Sequence, residues 1–185
     1  NPEEFTIEDF SEELRVKENN LKKIFDGSAN FTYVDLNTDY TFNKGGDNVS
    51  YAASVNKIPA VFYAYHVADE GELDLNKELK YTSNYTHGGS GVIQKDPVGS
   101  RYTIGKLLEY AIQYSDNIAY FMILDQIGDT VKVKEYWKGL GVNITYTDKF
   151  GNLSPNLGAS YLKEVYKYYL SGKDNAKKLY NDMKV

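Results

Sequence analysis

Two short segments of the sequence carry residue types suited to nucleophilic catalysis. The first, Ser54-Val55-Asn56-Lys57, places a hydroxyl and an amine three residues apart. If a helix begins at Ser54, both side chains lie on one face of it, and the amine can reach the hydroxyl. A serine hydroxyl is a weak nucleophile that needs an adjacent base, and a partly desolvated lysine with a lowered pKa can act as that base. The helix N-terminus would add partial positive charge beside a developing oxyanion.

Each segment also has a plainer interpretation. Serine and lysine are common, so the tetrapeptide alone fits a helix cap with a solvated lysine better than it fits a catalytic pair. The second segment, Ser115-Asp116-Asn117, lies about sixty residues later between two predicted helices, where a loop can direct side chains into a cleft. Its alternative is again a helix cap, in which Ser115 or Asp116 accepts from backbone N–H groups.

The elements that must position these segments follow from hydrophobic periodicity. Apolar residues at helical spacing predict an N-terminal helix over Ile7–Phe25, ended by Asp26-Gly27, and a buried helix from Ser54 to about Glu70. Between them, β-branched and aromatic residues on either side of a turn predict a β-hairpin. The hairpin strands are Phe31–Leu36 and Tyr40–Phe42, and the later helices are Thr103–Tyr114, Ile118–Ile127, Val131–Leu140, Leu157–Leu170 and Lys173–Met183.

The predicted sheet is too small for this number of helices. A two-stranded hairpin alone is a poor packing partner, and the polar stretch Leu73–Ser100 contains no predicted element although it is too long for a simple connection. We therefore expect the sheet to be unfinished. The three central helices each begin with a residue able to cap them: Thr103, Ser115 or Asp116, and Asp129 or Thr130.

Composition narrows the function classes. The chain has 185 residues, 42% apolar and 25% charged, which fits one globular domain or two small interleaved ones. The absence of cysteine excludes disulfides, a thiol nucleophile and thiolate metal sites, and His66 and His87 are too few for a histidine-rich metal site. A net charge of −5 without blocks of like charge argues against nucleic acid and anionic membrane surfaces. We expect neither a metal nor a nucleic-acid partner.

Together, the two segments resemble the class A β-lactamase-like family of penicillin-recognising serine hydrolases, whose signature set is S-x-x-K, S-D-N and K-T-G. The resemblance extends from about Asn30 to Met183 and includes further similar stretches in the same order, namely Ala68–Leu75, Gly88–Gln94, Tyr102–Ile104 and Ile127-Gly128. It implies an α+β fold, with an α/β sandwich and an all-helical subdomain. By this resemblance, residues 1–53 form the N-terminal helix and hairpin of the α/β subdomain, and residues 54–185 form the mainly helical subdomain.

The resemblance also implies roles for individual residues. Ser54 would be the acylated nucleophile, Lys57 its base, and Ser115 a proton relay toward the leaving nitrogen. Asn117 would bind the substrate's amide carbonyl, while Asp116 would hold the loop. The substrate would be a β-lactam or a peptidoglycan stem peptide, and the location would be extracellular or in the cell envelope. The chemistry requires no metal and no organic cofactor.

Two features of the sequence depart from the family pattern. No K-T-G, K-S-G or H-T-G triplet follows Met183. We therefore expect a chain that is truncated before its last strands, inactive by itself, and left with a sheet edge available to pair with another chain. The second departure is the loop Val142–Ser154, which contains no glutamate to activate a deacylating water; Asp148 is its acidic candidate.

Without that glutamate, we expect an acyl-enzyme that forms and then hydrolyses slowly. One alternative is a true class A β-lactamase, which would hydrolyse its substrate rapidly. The other is a catalytically silent cell-envelope module that keeps the fold for binding.

Overall fold

A computed structural model describes residues 7–24, 29–146 and 148–184. Its α-helices all correspond to predicted ones, although the predicted end of the first helix at Phe25 and Asp26-Gly27 lies outside the described residues. The helices are α1 (Ile7–Ile24), α2 (Lys57–Asp69), α3 (Ile104–Gln113), α4 (Asn117–Ile127), α5 (Asp129–Gly139), α6 (Pro155–Leu170) and α7 (Asp174–Asp182). No helix in these ranges has the length and apolar character needed to cross a membrane.

The strands are short and pair two by two. They are β1 (Phe31–Val34), β2 (Thr41–Lys44), β3 (Ser50–Tyr51), β4 (Glu78–Lys80), β5 (Arg101–Thr103) and β6 (Asn152–Leu153). The pairs β1–β2, β3–β6 and β4–β5 are all antiparallel. The pair β1–β2 confirms the predicted hairpin. The stretch Leu73–Ser100, in which no element is predicted although it is too long for a simple connection, contributes β4. Three residues are too few to show a strand period.

Helix α2 forms the centre of the core. Its apolar residues occur on all sides, as is typical of a helix surrounded by others. Helices α3, α4, α5 and α7 pack around it. Trp137 of α5 is fully buried, and its indole Nε1 donates to the backbone oxygen of Pro59 at 2.9 Å. Pro59 lies in the first turn of α2, where its missing N–H would have no helical partner in any case.

The carboxyl end of α2 is fastened to α6 and α7. The Asp69 carboxylate accepts from the Tyr168 hydroxyl at 2.6 Å and from the Asn175 amide at 2.7 Å. It also forms an ion pair with Lys173 at 3.3 Å. Helix α6 in turn packs against β1 of the hairpin. These contacts fix the direction of α2 and therefore of the turn that precedes it.

The helix caps agree with the sequence at two of three places. Thr103 caps α3 by accepting from the Lys106 N–H at 3.2 Å, and Asp116 caps α4 by accepting from the Ala119 N–H at 2.9 Å. The expectation that Asp129 or Thr130 caps α5 is wrong. Helix α5 begins directly after Gly128, which also ends α4 and has a φ of 83°. One glycine therefore serves both helices. The Asp129 carboxylate accepts from the adjacent Thr130 N–H at 2.6 Å, but the N-cap position itself is held by Gly128, which has no side chain to cap α5.

Candidate active site

Ser54 lies in a 3-10 turn, Ala53–Asn56, that leads into α2 at Lys57. The prediction that an α-helix begins at Ser54 is therefore wrong by one turn. Ala53 has a φ of 47°, a left-handed conformation that is uncommon for a residue with a Cβ, and this backbone favours the tighter turn. Side chains three residues apart eclipse each other in a 3-10 turn, so Ser54 and Lys57 still lie on the same side.

Lys57 is a buried amine rather than a solvated lysine. Its side chain is 1% exposed, and Nζ donates to Asn117 Oδ1 at 2.7 Å, to Ser115 Oγ at 3.1 Å and to the backbone oxygen of Ser115. Burial lowers the pKa of Lys57 from 10.5 to about 8, against the opposing effect of the Asp116 charge. About a tenth of such a group is neutral at pH 7. The hydrogen bonds in the described part of the chain include none between Lys57 and Ser54.

Two aromatic rings cover the remaining side of the Lys57 amine. Nζ lies 5.6 Å from the ring centroid of Phe150 and 5.9 Å from that of Tyr120. The two rings are 5.7 Å apart, and the Tyr120 hydroxyl donates to the backbone oxygen of Lys149 at 2.7 Å. The rings contribute to the burial of the amine, and burial is the cause of its lowered pKa.

Asp116 holds the turn that supplies the acceptors for Lys57. Its carboxylate is fully buried and accepts from the backbone N–H groups of Val92 at 2.7 Å and Ile93 at 2.9 Å, in addition to capping α4. A Cβ at Gly91 would collide with this carboxylate, so the close approach requires glycine. Ser115 before it has a φ of 51°, which turns its backbone oxygen toward the lysine side. These contacts agree with the expected loop-holding role.

Asn117 connects the lysine to the loop between β4 and β5. Its Oδ1 accepts from Lys57, while its Nδ2 donates to the backbone oxygen of Gly88 at 3.1 Å. The Asn117 N–H donates to the backbone oxygen of Ser90 at 3.1 Å. The His87 ring lies near the same amide, with Nδ1 3.5 Å from Nδ2. Residues 87–90 therefore form a wall of the site.

A cleft of about 330 Å³ opens beside Ser54 and Ser115. Its other walls come from the nucleophile turn, from the start of α2, from α3 and from the end of α7, and they are mostly apolar: Val55, Ile58, Ala111, Ile112, Gln113, Asp182 and Met183. The Asp182 carboxyl accepts from the Gln113 amide at 3.0 Å, and burial raises its pKa. Two hydroxyls at one end of an apolar cleft suit a neutral or weakly polar acyl group.

The loop after α5 presents an aromatic ring to the lysine, not a carboxylate. Asp148 is exposed, and its Oδ1 accepts from the N–H groups of Phe150 and Gly151, each at 2.7 Å. These hydrogen bonds lower the pKa of Asp148. The acidic candidate of this loop is thus engaged with its own turn, while Phe150 faces Lys57. Across residues 7–24, 29–146 and 148–184, no three His, Asp or Glu side chains are placed to hold a metal ion.

Sequence reasoning missed Asn56, which it treated as a variable position of S-x-x-K. Asn56 is fully buried between the two residues of the motif, and its Nδ2 donates to the backbone oxygen of Phe150. The available signal was a short polar side chain at the start of an otherwise apolar helical run.

Residues 13–184 match the β-lactamase enzyme family. The chain belongs to this family. The β-lactamase ROB-1 of Haemophilus influenzae is 34% identical over 94 residues, which are 51% of this chain and 30% of ROB-1. The β-lactamase AER-1 of Aeromonas hydrophila is 26% identical over 118 residues, which are 64% of this chain and 39% of AER-1. The matched part thus spans well under two thirds of either relative.

Solved structures show the same fold. PBP-A superposes with a TM-score of 0.79 at 22% identity, covering 92% of this chain and 68% of PBP-A. A β-lactamase from Sphaerobacter thermophilus gives a TM-score of 0.75 at 22% identity, and the match covers 90% of this chain and 67% of that β-lactamase. A mutant of PBP-A, solved as an acyl-enzyme complex with penicillin G, gives a TM-score of 0.76 at 22% identity. The match covers 92% of this chain and 68% of the mutant. The fold is therefore the expected α+β fold of β-lactamases, and the family is one of serine hydrolases.

Proposed function

We propose that this β-lactamase-family chain carries an acyl-enzyme site in which Ser54 is acylated and the acyl group is released slowly. The position of Lys57 is the observation that carries the proposal. It is a buried amine with a pKa of about 8, and its hydrogen bonds reach the hydroxyl of Ser115 and the amide of Asn117. A solvated lysine after a helix cap would have none of these properties.

The acylation step uses three of these side chains. Ser54 Oγ attacks the carbonyl carbon of a lactam or amide, and its proton passes to the neutral Lys57 amine. The carbon–nitrogen bond then breaks, and the leaving nitrogen takes the hydroxyl proton of Ser115. Lys57, 3.1 Å from Ser115 Oγ, returns its proton to that oxygen. Distances between catalytic groups often shorten only when the substrate binds, as the Ser54–Lys57 pair requires here.

Slow release of the acyl group is expected because no carboxylate in the described part of the loop after α5 lies beside the Lys57 amine. Hydrolysis of an acyl-serine needs a base that activates water, and the loop Val142–Ser154 contains no glutamate. The Phe150 ring lies 5.6 Å from Lys57 Nζ, while the Asp148 carboxylate accepts backbone N–H groups at the surface. The acyl group on Ser54 would therefore persist, as expected of a peptidase-like or sequestering protein.

The proposed substrates are β-lactams and peptidoglycan stem peptides. The family, and the penicillin G complex of the structurally similar PBP-A mutant, support the first of these. The second is the amide that a β-lactam resembles. The location that goes with these proposed substrates is extracellular or in the cell envelope.

Mass spectrometry of the full-length protein after incubation with benzylpenicillin tests the proposal. We expect an adduct of one penicillin mass on the peptide that contains Ser54, absent from Ser54→Ala. Ser160→Ala is a matched control, because this α6 hydroxyl donates to the backbone oxygen of Asn156 at 3.0 Å and lies outside the cleft. No adduct, or one that survives Ser54→Ala, overturns the proposal in favour of a silent module. Rapid turnover of a chromogenic cephalosporin would indicate a true β-lactamase.

A further inference from the structure

Asn56 joins the nucleophile turn to the loop after α5 and to α6. Its Nδ2 donates to the backbone oxygen of Phe150, and its Oδ1 accepts from the Tyr161 hydroxyl of α6 at 3.2 Å. Its backbone oxygen accepts from the Tyr146 hydroxyl at 3.2 Å. Asn56 and Tyr161 are both fully buried. A buried polar group is costly unless it is fully hydrogen-bonded, so this connected arrangement points to a specific task.

The Asn56 amide contacts the backbone of the segment that carries the Phe150 ring. The centroid of the ring lies 5.7 Å from that of Tyr120 and 5.9 Å from that of Phe121, and the ring is carried by the turn at 148–151, in which Asp148 is exposed and Gly151 is buried. Asp148 holds that turn from the solvent side through the Phe150 N–H at 2.7 Å. The Asn56 side chain holds it from the protein side through the Phe150 backbone oxygen.

We propose that Asn56, oriented by Tyr161, is a positioning residue that holds the Phe150 ring against Lys57 and so keeps water from the base. The inference rests on the proposed acyl-enzyme function, in which Lys57 accepts the Ser54 proton.

An asparagine suits this task because one amide offers a donor and an acceptor together. The Tyr161 hydroxyl donates to Oδ1, which leaves Nδ2 to face the backbone oxygen of Phe150. An ionised aspartate could not donate to that oxygen, and leucine could make neither hydrogen bond. The tyrosine thus decides which way the amide faces, and the amide decides where the Phe150 backbone lies.

Hydration, not a change of charge, is the quantity that the Phe150 ring controls at Lys57. The charged group facing Lys57 from the start of α4 is Asp116, which acts to raise the pKa of the amine. The phenols nearby are Tyr120 of α4, Tyr146 of the loop and Tyr161 of α6. Burial raises the pKa of each of them, so they stay neutral around pH 8. Moving the ring away would admit water to the amine and leave these charges unchanged.

The test compares the pH dependence of acylation in the full-length protein and its Asn56→Leu and Tyr161→Phe variants. The midpoint near pH 8 should move upward by about one unit, since water restores the protonated amine, and the rate at pH 7 should fall about tenfold. Phe150→Ala should give a shift at least as large. Adding Asn56→Leu to Phe150→Ala should give no further shift, because residues that act through one contact are not additive.

Tyr168→Phe is the matched control. Tyr168 is also a buried tyrosine of α6, but its hydroxyl donates to Asp69 at 2.6 Å, far along α2 from the site. This variant should lose stability and keep the midpoint of the parent. If Asn56→Leu fails to fold, the midpoints of Tyr161→Phe and Phe150→Ala still test whether the ring position controls the pKa of Lys57.

An unchanged midpoint in Tyr161→Phe, or additive shifts in the Asn56–Phe150 double variant, would overturn the inference. A direct titration of the Lys57 side chain by NMR in the same variants separates this result from the proposed function. If the parent forms no adduct but the Lys57 titration moves as described, the acyl-enzyme proposal fails and the positioning role stands.

Discussion

Helix α2 carries two basic side chains that lie among aromatic rings, the buried Lys57 at its start and the half-buried His66 near its end. The His66 ring lies 4.2 Å from the Tyr168 ring and 4.3 Å from the Phe62 ring, between centroids. Burial lowers the pKa of His66, as it lowers that of Lys57. By ring contacts and by the direction and cause of the pKa shift, the two residues are alike.

Their hydrogen-bond partners distinguish them. His66 Nδ1 contacts the backbone oxygen of Phe62 at 3.1 Å, within its own helix. Lys57 reaches across to another turn and contacts the hydroxyl of Ser115, on the side of α2 where Ser54 also lies. A lowered pKa therefore reports burial alone, and a basic group gains a chemical use when a nucleophile and a proton relay lie within reach.

Removing the Lys57 amine should have the largest effect on acylation. Lys57→Met keeps the length of the side chain in its apolar surroundings but removes the base, so the rate of adduct formation on Ser54 should fall about 10³-fold. The rate can be followed by intact mass. The control is Lys106→Met, since Lys106 is a partly exposed lysine of α3 paired with Glu109 at 2.6 Å. Equal rates in the two variants would remove the distinction between Lys57 and other lysines.

Placing a carboxylate where the Phe150 ring now lies should shorten the life of the adduct. Phe150→Glu would bring a water-activating base next to Lys57, and the rate of adduct loss should rise about 10²-fold. Phe150→Gln is the matched control, because its side chain has nearly the same size and shape but no base. If both variants release the adduct equally fast, access of water and not a missing base limits release.

The pH profile of acylation should separate the two basic side chains of α2. The rate should rise with pH and level off above a midpoint near pH 8, since Lys57 must lose its proton before it can accept one. Below that midpoint the rate should fall about tenfold per pH unit. The second-order rate constant, measured from acidic to alkaline pH across the midpoint, gives the profile. If the midpoint changed in His66→Gln, the titrating base would be His66, at the other end of α2, and not Lys57.

His66→Gln should have the smallest effect on chemistry, a change of less than about twofold in acylation, because distant sites act independently. The substitution should instead change how the free energy of unfolding depends on pH. His66 has its pKa lowered in the folded protein, so the unfolded chain takes up a proton first as pH falls below about 6.5, and stability is lost there. Urea unfolding at a series of pH values on both sides of that point should show a weaker pH dependence in His66→Gln than in the parent. An equal pH dependence would contradict the neutral, half-buried state of His66.

Local patterns were sufficient to predict most of the helical frame. The apolar spacing of α3 together with Thr103, and that of α4 together with Asp116, placed both helices to within a residue, because caps and periodicity are properties of adjacent residues. The residue types and spacing of the segments S-x-x-K and S-D-N brought Ser54, Lys57, Ser115 and Asn117 into consideration.

Long-range contacts and short elements were beyond such patterns. The Asn56–Phe150 hydrogen bond spans 94 residues, and no local signal pairs these positions. The strands β4 and β5 have three residues each, too few to show a period. The left-handed Ala53, which tightens the turn before α2, is set by tertiary contacts such as the Ala52 N–H to Gly151 oxygen bond at 3.1 Å.

The lifetime of the Ser54 adduct tests the account most directly. Full-length protein would be acylated with benzylpenicillin, freed of excess drug, and followed by intact mass at about pH 8, where half of Lys57 is neutral. A site with an activated serine and no water-activating carboxylate predicts an adduct that survives long after the time it took to form, with little free hydrolysed drug. An adduct that never forms, or that disappears as fast as it forms while hydrolysed penicillin accumulates, would contradict it.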